Sequence, residues 1–190
     1  GGEQWFRRFG GATFNHVRDM QLTDTGELLV CGEIQGQALF FDSAPDAIDG
    51  VDAYAYYLLR CDPNGEHIDH AVGGSQNPVG VAGLDQRGGT VAVFGDFHCR
   101  FTGLSNFYSG AGLFMATGQE DLFIARHDFP TLNLTDAQQF GGQHHKYAGG
   151  IASLSFGQLV FGGGYEALLT LPSDGDAWGD RMARLWGADR

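Results

Sequence analysis

Three glycine pairs, Gly10-Gly11, Gly73-Gly74 and Gly141-Gly142, each close a short amphipathic run, at spacings of 63 (73 − 10) and 68 (141 − 73) residues. A second marker moves in step with them. The apolar segments LLVCG, VAVFG and QLVFG end at Gly32, Gly95 and Gly162, 63 (95 − 32) and 67 (162 − 95) residues apart. A third is an apolar strand ending in a base: AYAYYLLRCD around Arg60, DLFIARHD around Arg126 and DRMARL around Arg184. The run GEQWFRRFGG before the first pair aligns without gaps to GEHIDHAVGG before the second. Three markers in register identify an internal repeat, in which each unit is one supersecondary piece that buries its apolar face against its neighbours.

Within a unit the punctuation is that of β-structure. His16–Leu22, Glu27–Glu33, Tyr54–Cys61 and His67–Val72 read as strands, followed in the second unit by Val79–Leu84, Thr90–Phe97, Leu122–His127 and Leu132–Phe140. Asp24-Thr25-Gly26 and Asp62-Pro63-Asn64-Gly65 are turns, because Gly and Asn accept positive φ and Pro presets φ. Four strands in roughly 65 residues, with a long insertion between the second and third, describe one blade of a β-propeller. The extra length falls in the loops Phe41–Val51 and Thr102–Gln119. A β-sandwich of short strands is the alternative, but it gives no reason for in-register repetition. The fold class expected is therefore all-β, with blades over 12–74, 75–142 and 143–190 and a further strand from 1–11.

The phase of the repeat adds an expectation about closure. The chain opens on a last strand, Gln4–Phe9, and ends after a third one, Met182–Trp186, an offset that suits strand exchange. Three blades do not close a ring, since propellers use four to eight. Further blades of a larger protein, a protein partner, or a second copy making six blades would cover the open edges. Trp178, Met182 and Trp186 also fall at helical spacing, so a short amphipathic helix competes with the strand reading there.

Composition narrows the function classes. Of 190 residues, 43% are hydrophobic and 31 are Gly, which excludes a disordered chain and favours a packed one with many turns. The net charge of −12, with 23 acids against 11 bases, leaves no basic face for nucleic acid. No apolar run approaches the roughly 18 residues of a membrane-spanning helix.

Three cysteines, Cys31, Cys61 and Cys99, contain no CxxC pair. Cys31 and Cys61 sit equidistant from a hairpin centre near residue 46 and are candidates for a disulfide; two buried thiols are the alternative. Asp42, Asp46, Asp49 and Asp52 form an acidic loop with oxygen ligands at three- and four-residue spacing, a candidate calcium site. Asp62, Asn64 and Glu66 are a weaker one, since turn formation already explains them. His144, His145 and Tyr147 carry the adjacent-His motif and are candidates for a polar or metal ligand. Phe107 and Tyr108, in the long loop of the second unit, suit glycan stacking or a protein partner. The lone lysine, Lys146, beside ten arginines reads as a composition effect. No GxSxG, P-loop, HExxH or paired-carboxylate signature stands in the chain.

The order W-x-R-R-x-G-G, apolar strand, D-x-x-G, second strand closed by Gly, loop, and D-x-F-x-A-[KR]-x-D resembles SBBP-type β-propeller repeats. Trp5 to Gly11, Asp24 to Gly32 and Asp121 to Asp128 carry the likeness best. The second unit departs from it at Asp85-Gln86-Arg87-Gly88, and the third replaces the acidic turn with SLSFG. The resemblance implies a propeller fold and a bacterial secreted or cell-surface setting, with hardly any activity attached. The expected function is a non-catalytic binding or structural module, or one piece of a larger extracellular assembly built by strand exchange. A propeller hydrolase or lyase with a site on the axis is the enzymatic alternative, and His16, Arg18 and Asp19 are its axial candidates.

Overall fold

The computed structural model describes residues 6, 9–10, 13–40, 47–49, 54–75, 77–98, 106–109, 112–116, 119–142, 144–154 and 158–165, and for 37–40, 47–49, 75, 106–109 and 112–115 the backbone alone. Every regular element among them is a β-strand. Numbering strands along the chain, the first unit is an antiparallel meander of β2 (Asn15–Leu22), β3 (Leu28–Ile34), β6 (Tyr54–Cys61) and β7 (His67–Ser75), hydrogen-bonded in that order. The second repeats it with β8 (Val79–Arg87), β9 (Thr90–His98), β12 (Glu120–Asp128) and β13 (Leu134–Phe140). The third contributes β14 (Lys146–Ser153) and β15 (Leu159–Tyr165).

Both insertions form strands of their own. β4 (Gln37–Phe40) and β5 (Ala47–Asp49) pair with each other, and β4 also pairs with β1 (Phe9–Gly10). The described part of the N-terminal strand thus joins an insertion, not the third sheet, as strand exchange would require. β10 (Asn106–Ser109) and β11 (Gly112–Met115) form a hairpin that adds itself outside β7, extending the first sheet to six strands.

The turns follow the expected chemistry. Gly26 and Gly65 take φ values of +81° and +77°. Asp62 Oδ1 accepts from the Asn64 and Glu66 amides at 2.8 Å each, so this carboxylate organises the turn.

Strands β3, β6, β9 and β12 are apolar on both faces because the sheets stack in series. Leu29, Cys31, Tyr56 and Leu58 of the first sheet pack on Leu84, Val91, Val93 and Phe123 of the second. The alternate residues Ala92, Phe94 and Ile124 of the second pack on Leu159 and Phe161 of the third. Burying each such side chain contributes about 1.5–3 kcal/mol, so these two seams dominate stability. Val30, Ile34, Tyr57, Leu59 and Cys61 form a further apolar cluster on the opposite face of the first sheet.

That alternation settles the cysteines. Cys31 lies opposite Leu58 and Cys61 opposite Leu28, three pairs apart and on opposite faces of one sheet. Both are buried free thiols, and the disulfide does not form.

All three first strands carry a β-bulge, falling between Val17 and Asp19, between Val81 and Gly83, and between Ala148 and Gly150. The residue before the bulge pairs with Gly32, Gly95 and Gly163 respectively. A Cβ at any of these three glycines would overlap the carbonyl oxygen of His16, Gly80 or Tyr147, so the strands approach too closely for a side chain. The third unit's structural marker is therefore Gly163, one residue beyond the Gly162 that the sequence pattern picks out. Around Gly162 a Cβ meets nothing within 4 Å.

Candidate functional site

The sheets approach one another most closely at their first strands, β2 against β8 and β8 against β14. At one end of these strands lies a cleft of about 560 Å³, with Arg18, Glu33, Val81, Asp96, His98 and Ala148 among its walls. Its volume is in the range of small-molecule sites.

Two of its acids come from one sequence rule. In the first two units an acid directly follows the Gly that closes the second strand, as Gly32-Glu33 and Gly95-Asp96. Glu33 lies two residues beyond Cys31, so strand alternation turns it toward the second sheet. There Glu33 Oε1 accepts from the Val81 amide at 2.7 Å. Asp96 Oδ1 accepts from the Ala148 amide in the third sheet at 3.4 Å. Val81 and Ala148 are equivalent, each preceding the bulge of its strand.

A second contact repeats in the same way. Gln21 Oε1 accepts from the Gln86 amide at 2.7 Å, and Asp85 Oδ2 accepts from the Ser153 amide at 2.9 Å. Gln21 lies opposite Leu29 and Asp85 opposite Ala92, at the repeat step of 63 (92 − 29). Two equivalent side-chain acceptors thus run from the first sheet to the second and from the second to the third.

The remaining charges continue the network. Arg18 donates from Nε and Nη2 to the two oxygens of Glu33, at 2.9 Å each. That charge-assisted fork raises the Arg18 pKa against the opposing cost of burial. His98 bridges Asp96 Oδ2 (3.4 Å) and Glu120 Oε1 (2.9 Å), and His145 Nδ1 lies 3.1 Å from Glu120 Oε2. Lys146 is fully buried, with Nζ donating to the carbonyls of Glu120, Gly142 and His144 and lying 3.3 Å from Asp121 Oδ1. Gln139 donates to the other Asp121 oxygen at 2.6 Å, so the buried pair is enclosed by hydrogen bonds.

The candidates named from sequence distribute unevenly over this geometry. His16 and Arg18 reach the network, with His16 Nδ1 3.7 Å from Glu33. Asp19 turns instead to the second sheet and accepts from Leu84 N at 3.0 Å. The His144-His145 pair divides: His145 joins Glu120 and stacks on Tyr147 at 6.2 Å between centroids, while His144 is exposed and supplies its carbonyl to Lys146. Phe107 and Tyr108 sit in β10, with side chains outside the described residues. Asp42, Asp46 and Asp52 lie outside the described residues, and Asp49 is described by its backbone in β5. Among the described residues no group of three or more His, Cys, Asp or Glu could hold a metal ion.

Sequence reasoning missed Glu33, Asp96, Glu120 and Lys146. The signal for the first two was the acid after each closing Gly. Among the described residues the cleft walls hold no Ser, Thr or Cys to act as nucleophile. No described helix is long and apolar enough to cross a membrane. Compared with known proteins, the chain matches no family model, no curated protein and no solved structure.

Proposed function

We propose that the chain is a non-catalytic structural and binding module, formed of successive propeller blades, in a bacterial secreted or cell-surface protein. The observation that carries this reading is the repeated use of acids as inter-sheet struts. Glu33 and Asp96 take a backbone amide from the following sheet, and their remaining capacity goes to Arg18 and His98. Acids spent in this way fix the angle between blades, and neither Glu33 nor Asp96 is left free for acid–base work. The resemblance to SBBP-type repeats supports the blade assignment and is what suggests the compartment. Protein partners or further blades complete the open faces, and the cleft beside Arg18 is the place for a small polar ligand such as a glycan.

Thermal unfolding of Glu33→Gln and Asp96→Asn tests the strut reading. Losing a charge-assisted acceptor costs about 1.5–3 kcal/mol. For a chain of this size that corresponds to a Tm lower by roughly 4–10 °C. Acids kept for catalysis commonly burden stability, so an unchanged or higher Tm in both variants would overturn the structural assignment.

A further inference from the structure

The two ends of the strands are built differently. At one end the strands of the first two sheets are joined by short turns around Gly26, Gly65, Gly88 and Pro130. At the other end both insertions leave, after Ile34 and His98, and there the 560 Å³ cleft opens between the first and second sheets. Long connections on a rigid scaffold are where binding residues concentrate. Both walls of the cleft also depart from the repeat. Arg18 is the extra residue of the β2 bulge, and the same place in β8 and β14 holds Ala82 and Gly149. All three strands bulge alike, so the stacking of sheets does not require a base there. On the second wall Gly80 pairs with Asp96, where His16 pairs with Glu33 in the first unit and Tyr147 with Gly164 in the third. Gly80 adds no bulk to the cleft, and a Cβ there would come within 2.7 Å of the Asp96 carboxylate.

Arg18 is fixed in position and still has donors to offer. Glu33 holds its Nε and Nη2, while Nη1 has no hydrogen-bond partner among the described residues and the side chain is 44% exposed. The side-chain amide of Gln35 and the hydroxyl of Tyr54, which line the same cleft, likewise have no partner among the described residues. Phe14 supplies an aromatic wall, 45% exposed and backed by the His16 ring at 4.0 Å between centroids. The charges decide what such a site accepts. One guanidinium, Arg18, stands against two carboxylates, Glu33 and Asp96, so an anionic ligand meets net repulsion. A cationic ligand finds both acids already engaged, by Arg18, His98 and the two backbone amides.

We infer that the cleft binds an uncharged sugar ring, with Phe14 against one face of the ring and Arg18, Gln35 and Tyr54 on its hydroxyls. A pyranose has an apolar C–H face for an aromatic plane, and hydroxyls that both donate and accept. Arg18 Nη1 donates, and the Gln35 amide and Tyr54 hydroxyl do either. A few polar groups beside an aromatic wall, in a cleft of this volume, are the usual makings of a small-ligand site. This rests on the binding reading above and narrows its ligand to neutral carbohydrate.

Isothermal titration calorimetry of the full chain near neutral pH tests this with maltotriose, cellotriose, mannotriose and chitotriose as neutral probes and trigalacturonate as the charged one. At least one neutral trisaccharide is expected to bind, and trigalacturonate is not. Phe14→Ser is expected to weaken binding by about tenfold, and Tyr54→Phe and Gln35→Leu by roughly three- to tenfold each. Ile68→Ser, at a comparably exposed apolar side chain outside the cleft, should leave the affinity unchanged. Arg18→Ala removes the donor together with the Glu33 fork, so its affinity is read beside its Tm, while the other variants touch no strut. Circular dichroism establishes that each variant is folded. Binding of trigalacturonate in place of the neutral sugars overturns the uncharged ligand and leaves the binding reading standing. A neutral sugar whose affinity ignores Phe14→Ser, Tyr54→Phe and Gln35→Leu overturns the site. No binding of any probe overturns the inference, and the Tm values of Glu33→Gln and Asp96→Asn still decide the strut reading by themselves.

Discussion

Two adjacent glycines of the third unit should respond oppositely to the same substitution. At Gly163 an added Cβ would overlap the Tyr147 carbonyl oxygen and sit 3.2 Å from its carbonyl carbon. Both obstacles are backbone in the partner strand, so relief requires β14 and β15 to separate by on the order of 1 Å at a ladder position, as rigid packing leaves no slack. Overpacking of this kind costs about 1–3 kcal/mol, and the backbone obstacle places Gly163→Ala at the upper end. Gly95→Ala is a second case, overlapping the Gly80 carbonyl and lying 2.6 Å from Phe123 Cε1. At Gly162 a Cβ meets nothing within 4 Å, and the substitution restricts the unfolded chain, stabilising by roughly 0.4–1 kcal/mol. At about 2–4 °C per kcal/mol, Gly163→Ala lowers Tm by roughly 6–12 °C while Gly162→Ala raises it by about 1–4 °C. Scanning calorimetry at matched concentration measures both. Gly162→Ala as damaging as Gly163→Ala would refute the one-residue shift of the third unit.

His127 gives a pH signature. Its Nδ1 lies 2.8 Å from the Leu132 carbonyl and Nε2 lies 3.1 Å from the Tyr56 hydroxyl, so the neutral ring donates to the first and accepts from the second. Burial pushes its pKa below the ordinary 6.5, which means the unfolded chain takes up the proton first as pH falls. The stability from this group is present above about pH 6.5 and lost below it, by up to about 1.4 kcal/mol per pH unit until the folded ring also protonates. Urea titrations between pH 7.5 and 5 should show this slope, and His127→Gln should reduce it; equal slopes would remove the assignment. Burial also pushes the Cys31 thiol far up and the Cys61 thiol to about 11. In a Cys99→Ser background, neither should react with a thiol reagent at pH 8 until denaturant exposes two. Fewer than two in denaturant would indicate the disulfide after all.

The sequence made the strands legible because they are punctuated by residues with fixed backbone needs. Asp24 to Gly26 and Asp62 to Gly65 close hairpins with turn chemistry that local sequence carries in full. Tyr54–Cys61 was exact for that reason, and β13 was shorter than expected because Leu132 belongs to the preceding turn, at φ +50°. The insertions escaped because pairing between distant segments leaves no local trace, as when Phe107 and Tyr108 meet Ser75 and Gly74. The network escaped for a related reason. Glu33, His98, Glu120 and Lys146 come from four strands, and which of them meet depends on how the sheets stack. Register alone decided between a disulfide and two buried thiols: a hairpin centred one or two residues away turned Cys31 and Cys61 to opposite faces.

The burial of Lys146 has an operational consequence. It is the sole lysine of the chain, and its ammonium sits at 0% exposure between the second and third sheets. The folded surface therefore offers no lysine amine to succinimidyl esters or to amine-to-amine crosslinkers. Crosslinking mass spectrometry between surface side chains would need carboxylate or arginine chemistry instead. The same residue becomes a reporter, because its acylation rate reads how often the junction held by Asp121 opens.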